Sequence, residues 1–300
     1  MRGFTDEPLL AVIAHVTAEL EAAGASEIRV LDPALGRGHY TGERVVIDGV
    51  SYVHRAVAAW VELADRAGAR VLVQRVEPPA IELRFERLAD APAWSGDGAE
   101  KYGTASGFAR ISKLEDPGFV LDVGDALARC ALPAGARILC LGVNTGDEIA
   151  LVRALAPDLA AAFVGIDHSA SALAIARDRF PDAVFHEADV HVLAPLGLGR
   201  FDLVLALGTL QSAGIDDREV LRRVVQDHLA TDGSVIVGVP NCRYLDGEVS
   251  SGARMKNFRQ AELGLLIKDI AFYRKYLQQH HRQVFVTGTH YVLVTGIPAR

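Results

Sequence analysis

Three hundred residues, half of them hydrophobic and 23% charged, describe a globular chain with enough surface to bury for one large α/β domain plus a smaller one. No run reaches the ~18 uncharged apolar residues of a membrane span, and MRGFTDEPLL at the start carries acids where a secretory leader carries an apolar stretch, so a cytoplasmic protein with no membrane partner is expected. A net charge of −7 argues against non-specific nucleic-acid binding, and three cysteines without CxxC spacing argue against a disulfide framework or a structural zinc site.

Residues 7–23 repeat apolar side chains at helical spacing and stop at Gly24. SEIRVLD (26–32) reads as a strand, VVIDGVSYV (45–53) as a short strand and turn, and HRAVAAWVELADRA (54–67) as a second helix. Two further strand-like runs are joined through Pro78-Pro79. This order suits a small α+β domain over residues 1–90, expected either to recognise a large acceptor or to mediate formation of a homodimer. Its most suggestive loop is RGHYTGER (37–44). ADAPAWSGDGAE (89–100), rich in Ala, Pro, Gly and Asp, reads as a linker opening a 91–136 connection that includes a helix over 121–131.

From Arg137 the pattern becomes strict alternation: RILCLG, AFVGID, AVFHEAD, FDLVLALG and SVIVGVP as strands, with amphipathic helices between them, the last over 218–230. Continuous apolar strands separated by such helices predict an α/β fold, a doubly wound and mostly parallel sheet with its ligand crevice at the strands' carboxyl ends. The end breaks the rhythm. A long helix (261–280) leads into strands at 284–287 and 290–295 joined by Gly288-Thr289, which predicts an antiparallel hairpin on a two-residue type II′ turn.

Chemistry concentrates at ILCLGVNTGDE (138–148). A strand breaks at Gly142 into a loop whose backbone N–H groups and following helix N-terminus can meet a ligand, with Gly142 and Gly146 permitting close approach. The next strand ends in Asp167, 25 residues beyond Gly142, where an acid can accept both hydroxyls of a ribose. As a purely structural alternative Asp167 would be a helix N-cap, a role Ser169 fills better.

These motifs, in order and spacing, resemble the class I S-adenosylmethionine-dependent methyltransferases from about Arg137 to Pro298: ILCLGVNTG the glycine-rich first motif, FVGIDHSASALAIAR the second strand and helix, HEADV the third motif, FDLVLALGTLQ the fourth strand, DGSVIVGVP the fifth, and the closing hairpin the reversed last strand. The resemblance implies a seven-stranded sheet and S-adenosyl-L-methionine as cofactor. Gly142, Asn144 and Gly146 would shape the loop around the cofactor's amino acid, and Asp167 would hold the ribose, with His168 beside the adenosine. Asp189 would hold the adenine amino group, Val190 would pack its ring, and Leu207 and Gly208 would line the cofactor beneath the departing methyl.

Two positions depart from the family pattern. Asn144 stands where a glycine is usual, and Asn is the residue after Gly that best tolerates left-handed backbone. Cys140 stands where an acid is usual and offers only a weak hydrogen bond, so Glu148 or a residue of 101–113 is expected to orient the cofactor's ammonium. No catalytic residue is assigned. Cys242, just past the fifth strand, lacks the partner Pro-Cys of RNA cytosine methyltransferases and reads as a buried inert thiol.

The acceptor is unidentified, a small polar or anionic metabolite or RNA. Substrate-side candidates are Tyr102, Phe108, Arg110 and Lys113 in an arm over the pocket, and Arg243, Tyr244, Arg254 and Lys256 in the irregular stretch after the fifth strand. Residues 243–300 hold 9 bases against 4 acids and could meet an anionic partner, or simply form a solvated helix face. The rival readings are an NAD(P)-dependent oxidoreductase, against which stand the terminal hairpin and Asp189, and a non-catalytic regulatory protein that binds S-adenosylmethionine.

Overall fold

A computed structural model describes residues 1–89, 110–251 and 264–299, with the side chains of 251, 264 and 265 left out. Tyr102, Phe108, Arg254 and Lys256 therefore lie outside the described residues. The chain divides into two compact units, one of residues 1–91 with 244–250 and one of 92–243 with 251–300.

The first unit runs β1 (Arg2–Gly3), α1 (Leu9–Ala23), β2 (Ala25–Leu31), β3 (Arg44–Ile47), β4 (Val50–Val53), α2 (Val57–Arg66), β5 (Ala69–Glu77) and β6 (Ala80–Arg87). Its four-stranded sheet has the order β1-β2-β6-β5, and β3 and β4 form a separate hairpin, so the stretch expected to be one strand and a turn is two strands. Val12, Val16 and Leu20 of α1 fall at helical spacing and meet Ile28, Leu83 and Phe85 of the sheet, with Trp60 of α2 closing the core. Residues 244–250 count with this unit although they are distant in sequence: Asp246 accepts from Arg70 and from the Ala89 N–H, and Ser250 bonds Asp65.

The second unit opens with a 3₁₀ turn at Lys113–Glu115 and continues α3 (Pro117–Cys130), β7 (Arg137–Leu141), α4 (Asp147–Leu155), β8 (Ala162–Asp167), α5 (Ala170–Arg179), β9 (Val184–Glu187), β10 (Phe201–Leu207), α6 (Asp217–Arg223) and β11 (Leu229–Pro240). After β12 (Cys242–Leu245) and β13 (Glu248–Ser251) come α7 (Gly264–Gln279), β14 (Arg282–Thr287) and β15 (Tyr291–Pro298). The seven-stranded sheet has the order β14-β15-β11-β10-β7-β8-β9, all neighbours parallel except at β15. Leu139 and Leu141 alternate with residues of the opposite face and join Val204, Val237 and Val294 under Val220 of α6 and Tyr273 and Leu277 of α7. None of the described helices is long and apolar enough to cross a membrane.

Three local expectations change. The helix expected at 121–131 begins at Pro117, because Asp116 accepts the Gly118 and Phe119 N–H groups and Pro117 occupies the first turn where its missing N–H costs nothing. The helix expected over 218–230 is α6 followed by a π segment, Val224–His228, and β11 starts at Leu229. Arg200 and Arg282 donate to the carbonyls of Leu229, Ala230, Thr231 and Gly233, replacing helical partners. The terminal hairpin is antiparallel, but Thr287 pairs with Leu293, leaving five residues in the turn instead of two. Asn241, just past β11, donates from its backbone to His290 and from its side chain to Thr289, so tertiary bonds set this turn.

The Asp116 cap is doubly used, since its second oxygen meets His290 Nδ1 at 3.0 Å. Replacing Asp116 with alanine should lower stability to chemical denaturation by about 1–2 kcal/mol, with Asp116→Asn losing less. Equal stability of Asp116→Ala and wild type would show that the cap contributes nothing.

Candidate functional site

Strand order reverses beside β7: the chain moves outward through β8 and β9, then returns to place β10 on the other side. A crevice opens at such a switch point, outside the carboxyl ends of the strands. A cavity of about 320 Å³ lies there. It is lined by Gly142 after β7, Asp167 and His168 at β8, Asp189, Val190 and His191 after β9, and Leu207, Gly208 and Thr209 at β10. Pro240 of β11 and Tyr291 of β15 complete that edge, with Lys113, Asn144 and residues 212–215 around it.

The loop after β7 is fastened to β8. Ile166 O accepts from the Gly142 and Val143 N–H groups, and Asp167 Oδ2 accepts from the Asn144 N–H at 2.8 Å. Oδ1 of the same buried carboxylate accepts from the Ser169 N–H at 2.9 Å. Ser169 in turn caps α5 by accepting from Ala172. Asn144 sits at φ 46°, the left-handed geometry its side chain tolerates, and its Oδ1 accepts from the Thr145 N–H. Gly142, at φ 66°, has a closer constraint than any ligand: a Cβ there would fall 2.3 Å from Thr209 Oγ1, which is tied to Leu141 O.

Charge enters from two sides. Lys113 Nζ lies 3.1 Å from Glu148 Oε1 and 3.3 Å from Leu207 O, with both side chains of the pair nearly buried. Burial alone would lower the lysine pKa, but Glu148 and, to a smaller degree, Tyr291 outweigh it, so Lys113 is held above its ordinary value and stays charged. The Cys140 thiol is pushed well up by burial, with Glu148 adding to the effect, and is inert. On the far side Asp189 is held below its ordinary value, first by the His191 N–H. Burial pushes the Tyr291 phenol up to about 12, so it is a donor and not a base near neutrality.

Comparison with known proteins bears on this geometry directly. Residues 139–235, spanning β7 to the middle of β11, match the model of a family described as a methyltransferase domain. This segment, about a third of the chain, is similar to methyltransferase domains. Among curated relatives, trans-aconitate 2-methyltransferase of Variovorax paradoxus is 34% identical over 119 residues, covering 40% of this chain and 44% of that protein. The Methylobacterium nodulans protein of the same name is 44% identical over 71 residues, covering 24% and 27%. The chain thus matches less than half the length of these curated relatives. Solved structures with a similar fold include a TehB-like SAM-dependent methyltransferase of Corynebacterium glutamicum, at 20% identity and TM-score 0.40 over 58% of this chain and 87% of that one. Another is the plantazolicin methyltransferase BpumL in complex with SAH, at 12% identity and TM-score 0.47 over 62% and 86%.

Of the cofactor-side candidates, all but Gly146 line the cavity. Gly146, at φ 89°, packs where a Cβ would fall 2.6 Å from the Phe180 ring, and so sets the start of α4. Of the substrate-side candidates among the described residues, Lys113 lines the cavity, and Arg110, Arg243 and Tyr244 do not. Sequence reasoning missed His191, Thr209, residues 212–215, Pro240 and Tyr291. His191 directly follows the EADV motif, and Tyr291 opens the one reversed strand, which puts it opposite Pro240 at the carboxyl edge.

Lys113→Met should strand a buried Glu148 charge and destabilise the second unit by about 3–5 kcal/mol. Adding Glu148→Gln should restore most of that loss in a double-mutant cycle measured by denaturant unfolding. Additive losses would mean that the two groups do not depend on each other.

Proposed function

We propose that the chain transfers a methyl group from S-adenosylmethionine to a small carboxylate-bearing acceptor. The observation that carries this is the coincidence of the methyltransferase-domain match with a switch-point cavity lined by acids at the ends of β8 and after β9. That cavity lies at the lower end of the ~300–1,000 Å³ usual for small-molecule sites.

In this reading Asp167 accepts from the ribose hydroxyls through the lone pairs its two backbone partners leave over. Asp189 accepts from the adenine amino group while Val190 packs on the ring, and His168 flanks the adenosine at the rim. Gly142 and Asn144 present the loop to the amino acid portion. Glu148, anchored in the first turn of α4 beside Cys140, supplies the negative charge that the strand itself lacks. Leu207 and Gly208 form the floor under the reacting centre. Bound there, S-adenosylmethionine would supply an electrophilic methyl on a sulfonium, whose sulfur keeps the bonding electron pair when the methyl leaves. The protein's part is to hold the acceptor oxygen in line and to exclude water. A carboxylate acceptor has no proton to lose, which fits a site whose described phenol is a poor base.

The choice of a carboxylate follows the relatives named trans-aconitate 2-methyltransferase, and trans-aconitate is the first acceptor to assay. All cavity-lining residues belong to the second unit, which leaves the first for acceptor recognition or self-association. Three buried free cysteines fit a reducing compartment, and we place the protein in the cytoplasm.

Calorimetric titration with S-adenosylmethionine, S-adenosylhomocysteine and NADH tests the cofactor. Wild type should bind the two adenosyl ligands at micromolar level and NADH not at all, and Asp167→Ala should weaken them at least about tenfold, as expected for lost hydrogen bonds to a charged group. NADH binding in their place, or no binding by any of the three, would sink the reading.

A further inference from the structure

His191 uses every hydrogen-bonding atom it has. Its backbone N–H donates to Asp189 Oδ1 at 2.9 Å, and its ring Nδ1 meets the same oxygen at 2.7 Å. The backbone N–H of Asp216 donates to its Nε2 at 3.0 Å, and its carbonyl accepts from Arg223. A backbone N–H can only donate, so Nε2 carries no proton; the neutral ring then carries it on Nδ1 and donates to Asp189.

Two consequences follow for the cavity. Oδ1 of Asp189 is fixed by two donors from one residue, which fixes the plane of the carboxylate and reserves Oδ2 for a ligand. Without them the side chain, largely exposed, would be free to rotate. The ring also reaches across to Asp216, which caps α6 through the Glu219 N–H and ends the 212–215 stretch that lines the cavity. Arg223, on the next turn of α6, is ion-paired to Glu219 and binds the His191 carbonyl from the same side. His191 is therefore a strut between the acid after β9 and the loop after β10.

Resting on the proposed function, we infer that His191 is a positioning residue for base selectivity. It aims Asp189 as a hydrogen-bond acceptor at one edge of the bound base, so that a base with an exocyclic amino donor there is preferred over one with an oxo group. The same ring holds residues 212–216 against that side of the cavity. An amino group meets the aimed carboxylate as a donor, whereas an oxo group meets it as a second acceptor, with like partial charges opposed.

The test titrates S-adenosylhomocysteine against S-inosylhomocysteine, in which the 6-amino donor becomes an oxo acceptor and the neighbouring N1 changes from acceptor to N–H donor. Wild type should favour the adenosyl ligand at least about tenfold, the scale of a hydrogen bond to a charged group. His191→Ala should narrow the preference to within about twofold. His191→Asn should keep most of it, since the Asn amide can donate to Asp189 in place of Nδ1. Amide hydrogen exchange at residues 212–216 should speed up in both variants, because alanine has no acceptor and the shorter Asn amide, turned to donate to Asp189, falls short of the Asp216 N–H that Nε2 reaches. A preference undiminished in His191→Ala, or lost equally in His191→Asn, overturns the inference while leaving the cofactor reading intact. Wild type binding neither ligand overturns both.

Discussion

The Asp167 carboxylate is the constraint on which the rest of the site depends. Its two oxygens are divided between two loops, one accepting from Asn144 after β7 and the other from Ser169 before α5. A carboxylate accepting from backbone N–H groups makes stronger bonds than a neutral acceptor can. These two weld the end of β7 to the end of β8 where a ligand must enter. Asn144 is held left-handed by that bond as much as by its own side chain. A group expected from sequence to bind ribose hydroxyls is therefore also a structural tie. The reason is geometric: an acid at the carboxyl end of one parallel strand lies beside the loop of the next, and the same position faces the crevice.

The second constraint is the placement of negative charge. With a cysteine at position 140, β7 carries no acid, and the buried carboxylate whose charge bears on that thiol is Glu148, on the first turn of α4. An isolated buried carboxylate would be costly, and Lys113 compensates it from the segment before α3. Such a pair is not obviously better than two apolar groups of the same size, so its place at the wall of a ligand cavity argues for a role in charge placement beyond stability. Lys113, a lining residue of the cavity, thus spends its charge on a carboxylate of the protein.

The sheet was legible because its signals are local. Apolar strands, each closing on a glycine, an acid or a proline, alternate with amphipathic helices, and that period survives any tertiary detail. That Gly142, Asp167 and Asp189 line the cavity follows from the same local signals, since each lies at or just after a strand end. What could not be read depends on register or on distant partners. The start of α3 hangs on one cap, and the turn at 288–292 hangs on Asn241. The membership of residues 244–250 in the first unit hangs on Asp246 and Ser250 meeting side chains about 180 positions away. Gly142 was assigned its glycine for the sake of a ligand, whereas Thr209, from the loop after β10, is what excludes a side chain.

Tyr291 shows how one reversed strand changes the chemistry open to the site. Because β15 alone runs antiparallel, its first residue, not its last, reaches the carboxyl edge, opposite Pro240. The phenol there packs edge-on against Phe119, with the Lys113 ammonium 5.9 Å from its ring centre. Lys113 favours the phenolate, but the burial that accompanies this packing works more strongly against it, and the pKa still reaches about 12. A group that stays protonated near neutrality can donate a hydrogen bond but cannot take a proton from a nucleophile. Its place beside Gly208 puts that donor on the cavity wall. Proton-accepting groups of the same cavity, Asp167, His168, Asp189 and His191, come instead from the ends of β8 and β9, so the reversal of β15 adds a donor to a wall otherwise built from the carboxyl ends of parallel strands.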